Sequence, residues 1–463
     1  MIIGKEYKDK FLPHWEKWKR VTFRGYNYGG IIANELSHLH HIDGEGKKFS
    51  LKAEFKSLLK NILYKSQNIP ISITERTGKQ SNNLIIGFVM DDDNRGDYLK
   101  QCDNVLNQLD DYTIRVFTID KDFKVKRKFA FCAIVAKFSL IIKTLTAVPI
   151  RQSFRVQSVA KNIKLLAKCL YYYDLSRFID SINLLENLNL LIVFSDMKQY
   201  GNIFVQSAKQ KKILTATMQH GIYVRHRDHQ YSQSAINYLN SPADYLLGWG
   251  DSVASVFNAN GNSRKNVLLS GSSVKEYQIS NYYTAANDSV MGRTNSFVIL
   301  FSRSTLRQSN ADMLRIAQTV AKQTGYMFNV LMHPTNKLEH YAFDKCSNLI
   351  EVYQNSSMLV SLIQSSDFCI CHSTTVYFTS LLKRKACFRY NDEHFIDYGG
   401  LDDMFNNENE LLNKITKNDY VLENENLEKL EALLEHQFGS REHTYKNSIE
   451  TLLKQAVKIK SIL

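Results

Sequence analysis

The feature that most limits the fold of this chain is a repeated alternation of short apolar runs with segments of helical periodicity. Asn83 to Met90 (NLIIGFVM) is an apolar run, a helical segment reaches Leu109, and Tyr112 to Ile119 (YTIRVFTI) is a second run. A helix near 161–186 then leads into Leu188 to Phe194, another helix follows, and Lys212 to Met218 runs into Gln219, His220 and Gly221. Strands separated by helices are joined by crossovers and form a parallel sheet. After Pro242 the pattern restarts: 243–249, 266–269, 296–301, 326–332, 349–352, 367–371 and 386–390 predict strands, with helices at 309–323, 356–365 and 374–383. Helical segments near 425–437 and 445–462 end the chain. The reading is α/β with two doubly wound, Rossmann-like domains facing across a cleft: 1–240, then 241–440, with 441–463 a helix expected to pack back on the first domain. Ligands of such sheets bind at strand carboxyl ends. Residues 1–80 predict little beyond a helix at 51–65.

Composition narrows the class. With 463 residues, 44% hydrophobic and 23% charged, the chain has enough apolar content for two cores, and disordered or collagen-like classes are excluded. Its seven cysteines are odd in number and scattered without a C-x-x-C pair, so neither a disulfide framework nor a thiolate zinc site is indicated. MIIGKEYKDKFLPHW lacks the pattern of a secretory signal, and a cytoplasmic protein is expected. The longest apolar stretch, Phe129 to Ile150, is interrupted by Lys137 and Lys143, which argues against a membrane span.

Charge is unevenly placed. Lys plus Arg exceed Asp plus Glu by 59 − 46 = 13, and between Phe123 and Tyr173 eleven basic residues occur with no Asp or Glu. Interleaved with Phe131, Ile134, Val135, Phe138, Ile141, Ile142 and Leu145, this 123–173 segment fits two readings equally. One is a helix peripheral to the inner face of a cell membrane, its lysines snorkelling; the other is an internal helix with a solvated basic rim. Nucleic acid is not expected as a partner, since no zinc-finger, RRM, KH or helix-turn-helix signature accompanies the bases.

Polar residues gather at the predicted strand ends. His220 follows the strand in TATMQHGIY, where Gly221 permits a turn, and reads either as a general base or as a core histidine. His333 and Pro334 end YMFNVLM, a place suited to a phosphate or an incidental strand terminus. In DFCICHSTTVYF, Ser373, Thr374 and Thr375 open a helix, giving an anion site or simple capping by Ser373. Ser302, Arg303 and Ser304 end SFVILF and add a guanidinium for a diphosphate or sugar phosphate. Asp91, Asp92 and Asp93 end NLIIGFVM, as a base or cation ligand or, more commonly, a solvated turn. His38, His40, His41, Asp43 and Glu45 follow no standard zinc spacing, and no metal site is expected. Cys369 and Cys371 alternate onto one strand face as packing residues.

Together these pieces resemble the GT-B glycosyltransferases of bacterial surface polysaccharide (capsule, O-antigen and teichoic acid) synthesis that use cytidine-nucleotide donors. The similarity is carried by QHG at 219–221 with ADYLLGWGDSVASVFNANG and VLLSGSS, by MHPT at 332–335, similar to the HP motif, and by HSTT at 372–375, similar to the Ser/Thr motif. It covers about Asn187 to Tyr390, and groups of this kind include bacterial sialyltransferases, polysialyltransferases and CDP-glycerol glycerophosphotransferases. The resemblance implies that His333, Ser373 and Thr374 contact the donor phosphate, and that His220 matches a proposed base. In the sialyltransferases the base is instead a carboxylate in an acidic motif ending in Gly, loosely echoed by DDDNRG, which leaves His220 and Asp92 with its neighbours as rivals.

The implied activity is metal-independent transfer of a sugar from a CMP-linked donor, such as a nonulosonic acid or Kdo, to a glycan or lipid-linked glycan hydroxyl. No tightly bound cofactor is expected, the CMP- or CDP-linked donor being a substrate. The alternatives are a CDP-alditol polyol-phosphate transferase on the same fold, a noncatalytic glycan- or membrane-binding protein of GT-B shape, and a non-hydrolysing sugar-nucleotide epimerase.

Overall fold

The computed structural model describes residues 12–36, 50–66, 71–78, 84–90, 96–119, 127–129, 131–148, 156–223, 240–259, 262, 266–284, 294–398, 401–417 and 424–462. Two small antiparallel ladders, β1 (Thr22–Phe23) with β2 (Tyr26–Asn27) and β3 (Tyr64–Ser66) with β7 (Arg127–Phe129), lie outside the main sheets. The first main sheet contains β4 (Ile71–Arg76), β5 (Ile85–Met90), β6 (Thr113–Ile119), β8 (Leu188–Val193), β9 (Leu214–Met218), β10 (Tyr245–Gly248) and β11 (Asn266–Leu269), in the order β11-β10-β9-β8-β5-β6-β4. All pairs are parallel except β4 with β6. The second contains β12 (Ser296–Leu300), β13 (Met327–Leu331), β14 (Leu349–Tyr353), β15 (Phe368–Cys371), β16 (Cys387–Tyr390) and β17 (Met404–Phe405), all parallel, in the order β14-β13-β12-β15-β16-β17.

Both sheets are doubly wound. Strand order reverses between β5 and β8 in the first and between β12 and β15 in the second, and these switch points open a crevice at the strand carboxyl ends. The apolar runs follow from burial on both faces. Leu191 and Val193 of β8 face a core shared with Trp15, Trp18 and the helix Val156–Ser181. Leu190 and Ile192 face a second core completed by Ile449 and Leu452 of the helix Tyr445–Ile462. In the second sheet Phe297, Ile299, Phe328 and Ile370 point one way, and Val298, Leu300, Cys369 and Cys371 the other. Those two cysteines are packing residues, as expected.

The expected boundary at 240/241 is corrected: β10 and β11 belong to the first sheet. Tyr245, Leu246 and Leu247 register against Ala216, Thr217 and Met218 of β9, and all of β10 pairs with β11. The entry to β10 is locked beside β9. Asp244 Oδ2 accepts from Thr215 N–H at 3.0 Å and from its hydroxyl at 2.7 Å, while buried Asp196 Oδ2 accepts from Ser241 Oγ at 2.7 Å and Ala243 N–H at 2.9 Å. An apolar run buried on two faces reads the same in either sheet, which is why the sequence pattern restarts before the sheet does. The chain leaves the first sheet after Leu269 and returns at Gly439, and the two crossings touch. Gly271 (φ +68°) and Gly439 (φ +79°) adopt the left-handed region, and a side chain on either would meet a backbone oxygen of the other crossing or of Trp249 at 2.5 Å.

The first 80 residues are not the featureless stretch their weak periodicity suggests. Trp15, Trp18, Tyr26 and Tyr28 are buried in a core that the helix Val156–Ser181 shares. The helix Phe131–Ala147 holds one of the lysines expected at the surface: Lys137 is fully buried and ion-paired with Asp174 at 2.9 Å. No described helix is long and apolar enough to cross a membrane.

Candidate functional site

Three neighbouring strands of the second sheet deliver the predicted polar turns to its switch point. Ser302 and Arg303 follow β12, His333 follows β13, and His372 and Ser373 follow β15, on the other side of β12. The turn after β13 sets the state of His333. Thr335 N–H donates to its Nδ1 at 3.2 Å, and the Thr335 hydroxyl, 2.9 Å from the same nitrogen, accepts from Ser304 N–H at 3.0 Å. With Nδ1 accepting, the neutral ring carries its proton on Nε2. Burial, and then the positive charge of Arg303, hold His333 below the usual imidazole range. It is therefore a neutral donor at pH 7, beside an exposed guanidinium. Pro334 and Thr335 are exposed at the same turn.

Behind this edge lies a polar network. Ser302 exchanges backbone bonds with the Asn310 side chain, N–H to Oδ1 at 3.0 Å and Nδ2 to C=O at 2.9 Å, and Asn336 Nδ2 also donates to that carbonyl at 2.8 Å. Tyr341 joins the two amides, donating to Asn336 Oδ1 at 2.9 Å. The Ser302 hydroxyl itself is buried with no hydrogen-bond partner among the described residues.

His372, overlooked as a site residue although it opens HSTT, is fully buried, with Nε2 2.7 Å from Asp392 Oδ1. Its Nδ1 has no partner among the described residues. Burial acts to raise the Asp392 carboxyl, but bonds from His372, Ser309 and the His394 N–H outweigh it and lower the pKa to about 2.

Ser373 does not cap a helix. Its hydroxyl accepts from Ile396 N–H at 2.7 Å and donates to His394 C=O at 3.4 Å, so it fastens the 394–396 turn. The helix runs Val376–Leu382, with Thr375 at its N-cap and no side-chain cap bond, two residues later than the sequence suggests. Thr374 is half-buried and Thr375 exposed beside it. The same turn is held from beneath by Arg389, fully buried, whose guanidinium donates to Asp403 Oδ1 at 3.0 and 2.7 Å and to Ile396 C=O at 3.5 Å. The cation lies 4.5 Å from the Tyr377 ring centroid and 5.0 Å from that of Phe395.

His220 occupies the first lobe's edge. Its half-buried ring lies 5.3 Å from that of Phe194 and 6.0 Å from those of Tyr98 and Tyr223. Gln219 anchors it, its Oε1 accepting from Trp249 N–H at 2.7 Å, while Ile222 packs on the core of the second lobe. The imidazole thus sits where the lobes join. Asp91, Asp92 and Asp93, and the His38–Glu45 tract, lie outside the described residues. Among those described, no group of three or more His, Cys, Asp or Glu is placed to hold a metal ion.

Asn310, Asn336, Asp392 and Arg389 were missed because each acts through a fold-dependent partner. Only His372 carries a signal in the sequence, standing at a strand end next to Ser373.

The architecture is thus α/β with two doubly wound, Rossmann-like units, as expected of the GT-B class. No protein-family model and no curated protein matches the chain. Among solved structures, it is similar to a glycosyltransferase from Rickettsia africae ESF-5, with 11% identity, TM-score 0.48, and 81% of this chain and 99% of that one covered. It is also similar to the UDP-GlcNAc 2-epimerase from Methanocaldococcus jannaschii, with 13% identity, TM-score 0.42, and coverage of 82% and 100%. A third is the S. aureus MnaA–UDP co-structure, with 10% identity, TM-score 0.47, and coverage of 81% and 97%. Likeness at this level carries no information on substrate or activity.

Proposed function

We propose that the protein is a nucleotide-sugar-dependent glycosyltransferase whose donor binds at the carboxyl edge of the second sheet. The observation that carries this reading is the placing of Ser302 and Arg303 after β12, His333 after its neighbour β13 and Ser373 after β15, at the carboxyl edge that holds the switch point, where α/β sheets hold nucleotides. His333 donates Nε2–H to a donor phosphate, and Arg303 offsets the charge that grows on the departing nucleotide. Thr374 and Thr375 border the same edge, and Ser373 keeps its turn in place. His220 removes the acceptor proton from the opposite lobe, with Asp92 and its neighbours as rivals for that role. No metal takes part in this scheme. The resemblance of MHPT and HSTT to the cytidine-nucleotide transferases favours a CMP-linked donor and a glycan or lipid-linked glycan acceptor in bacterial surface polysaccharide synthesis.

Calorimetric titration with CMP, CDP, UDP and GDP tests this, on the natural protein and on His333→Ala and Arg303→Ala. Selective cytidine-nucleotide binding, weakened about tenfold or more by each substitution (roughly 1.4 kcal/mol), is expected. Tight UDP or GDP binding would overturn the donor assignment, and no nucleotide binding would overturn the enzyme reading. Transfer from a CMP-sugar that survives EDTA separates the scheme from a metal-dependent one.

A further inference from the structure

The helix Phe131–Ala147 is apolar on two faces. Its inward face carries Leu140, fully buried, with Lys137 and Thr144 fully or nearly fully buried beside it. Its outward face carries Val135 (63% exposed), Phe138 (51%), Ile142 (61%) and Leu145 (42%), positions three or four apart and therefore one stripe. Lys137 helps fix which face turns inward. The ammonium donates to Asn61 C=O at 2.7 Å, to Tyr64 C=O at 2.8 Å and to Asp174 Oδ2 at 2.9 Å, so turning it outward would break all three bonds. Four large apolar side chains are exposed on the face turned away from this buried ion pair.

The neighbouring helix Leu51–Leu63, which packs on it and supplies Asn61, repeats the theme. Leu51, Phe55, Leu59 and Leu63 are each 38% exposed or more. They lie on the flank of its buried face, and exposed Lys52, Lys56 and Lys60 form the next stripe around the helix. Its one carboxylate, Glu54, is half-buried on the other flank. Two adjacent helices thus present apolar stripes that no described residue covers, with an ammonium row alongside. Apolar patches of this extent mark interaction surfaces.

We propose that these two helices form a docking surface for an anionic lipid bilayer, lying in its interface with the apolar stripes in the acyl boundary and Lys52, Lys56 and Lys60 at the headgroups. Charge complementarity selects this occupant. The exposed faces carry only apolar, small polar and cationic side chains, the combination that binds acidic membranes in plane, and lysines of this spacing reach headgroup phosphates by snorkelling. The proposal is independent of the donor chemistry, because it concerns the first lobe alone and is read without nucleotide.

The test is flotation of the full chain with phosphatidylcholine vesicles containing 30% phosphatidylglycerol, against pure phosphatidylcholine, with light scattering of the free protein. The natural protein floats with the acidic vesicles and at least tenfold less with neutral ones. Phe138→Asp with Ile142→Asp, both exposed positions, abolishes flotation without changing the thermal midpoint, and Lys52→Glu with Lys56→Glu and Lys60→Glu reduces it at least tenfold. Absence of flotation with acidic vesicles overturns the proposal. So does a stable dimer that Phe138→Asp with Ile142→Asp converts to monomer, since the face would then be covered by a second copy.

Discussion

The two sheets wind alike, yet their carboxyl edges are finished differently. The second edge is a set of polar turns braced from behind: Asn310 and Asn336 hold Ser302, Asp392 holds His372, and the Arg389–Asp403 pair holds the turn that Ser373 fastens. Among its described residues the first edge sets the His220 imidazole among aromatic rings, and the buried carboxylate Asp196 fixes the path into β10. One edge is pre-organised for charge, because donors fixed by buried bonds need not reorganise when an anion arrives. The other, among its described residues, surrounds one imidazole with aromatic walls.

This contrast breaks in ordered ways. His220→Asn should lower the transfer rate by about 10²–10⁴-fold, the range for loss of a general base, while leaving nucleotide affinity in calorimetry unchanged; a parallel loss of affinity would place His220 on the donor side. Asp403→Ala strands the buried Arg389 cation and should cost about 3–5 kcal/mol in urea unfolding. Asn336→Ala removes a bond to the Ser302 carbonyl, with an expected cost of about 1–3 kcal/mol and weaker nucleotide binding, whereas His220→Asn stability should change little. The smallest effect is in pH. The Asp392 carboxyl titrates at about 2, below its ordinary value of 3.8, so its contribution to stability is complete above 3.8 and is lost as pH falls through about 2. Thermal midpoints between pH 2 and 5 should fall less steeply in Asp392→Asn than in the natural protein.

Much of the parallel strand content was legible, because strands buried on both faces must be apolar throughout. The same fact hid their order: 243–249 and 266–269 look like the opening of a second sheet and prove to be the end of the first. β4, with only Ile71 less than exposed, carries no apolar signal, and the buried N-terminal tryptophans and tyrosines lie in a core shared with the helix Val156–Ser181, more than a hundred residues away. At the site, the strand-end residues His333, Ser302 and Arg303 were readable from position alone. Their braces were not, since the bond from Asn336 to Ser302 or from His372 to Asp392 exists only once separate crossovers bring the strand ends together. Periodicity also left the lysines of the 131–147 helix undistinguished, and only the fold shows Lys137 buried and Lys143 exposed.

The two chain crossings at Gly271 and Gly439 have a mechanical consequence. Lobes joined by one strand of chain can swivel freely, but these are joined by two that touch, with Ser270 Oγ donating to Ser448 Oγ at 2.9 Å and that hydroxyl donating to Leu269 C=O at 2.9 Å. Both ends of these bonds lie on the first lobe, so they clamp the two crossings side by side where they leave it. The lobes are thus pinned twice at one place, and any motion of one against the other must bend both crossings together.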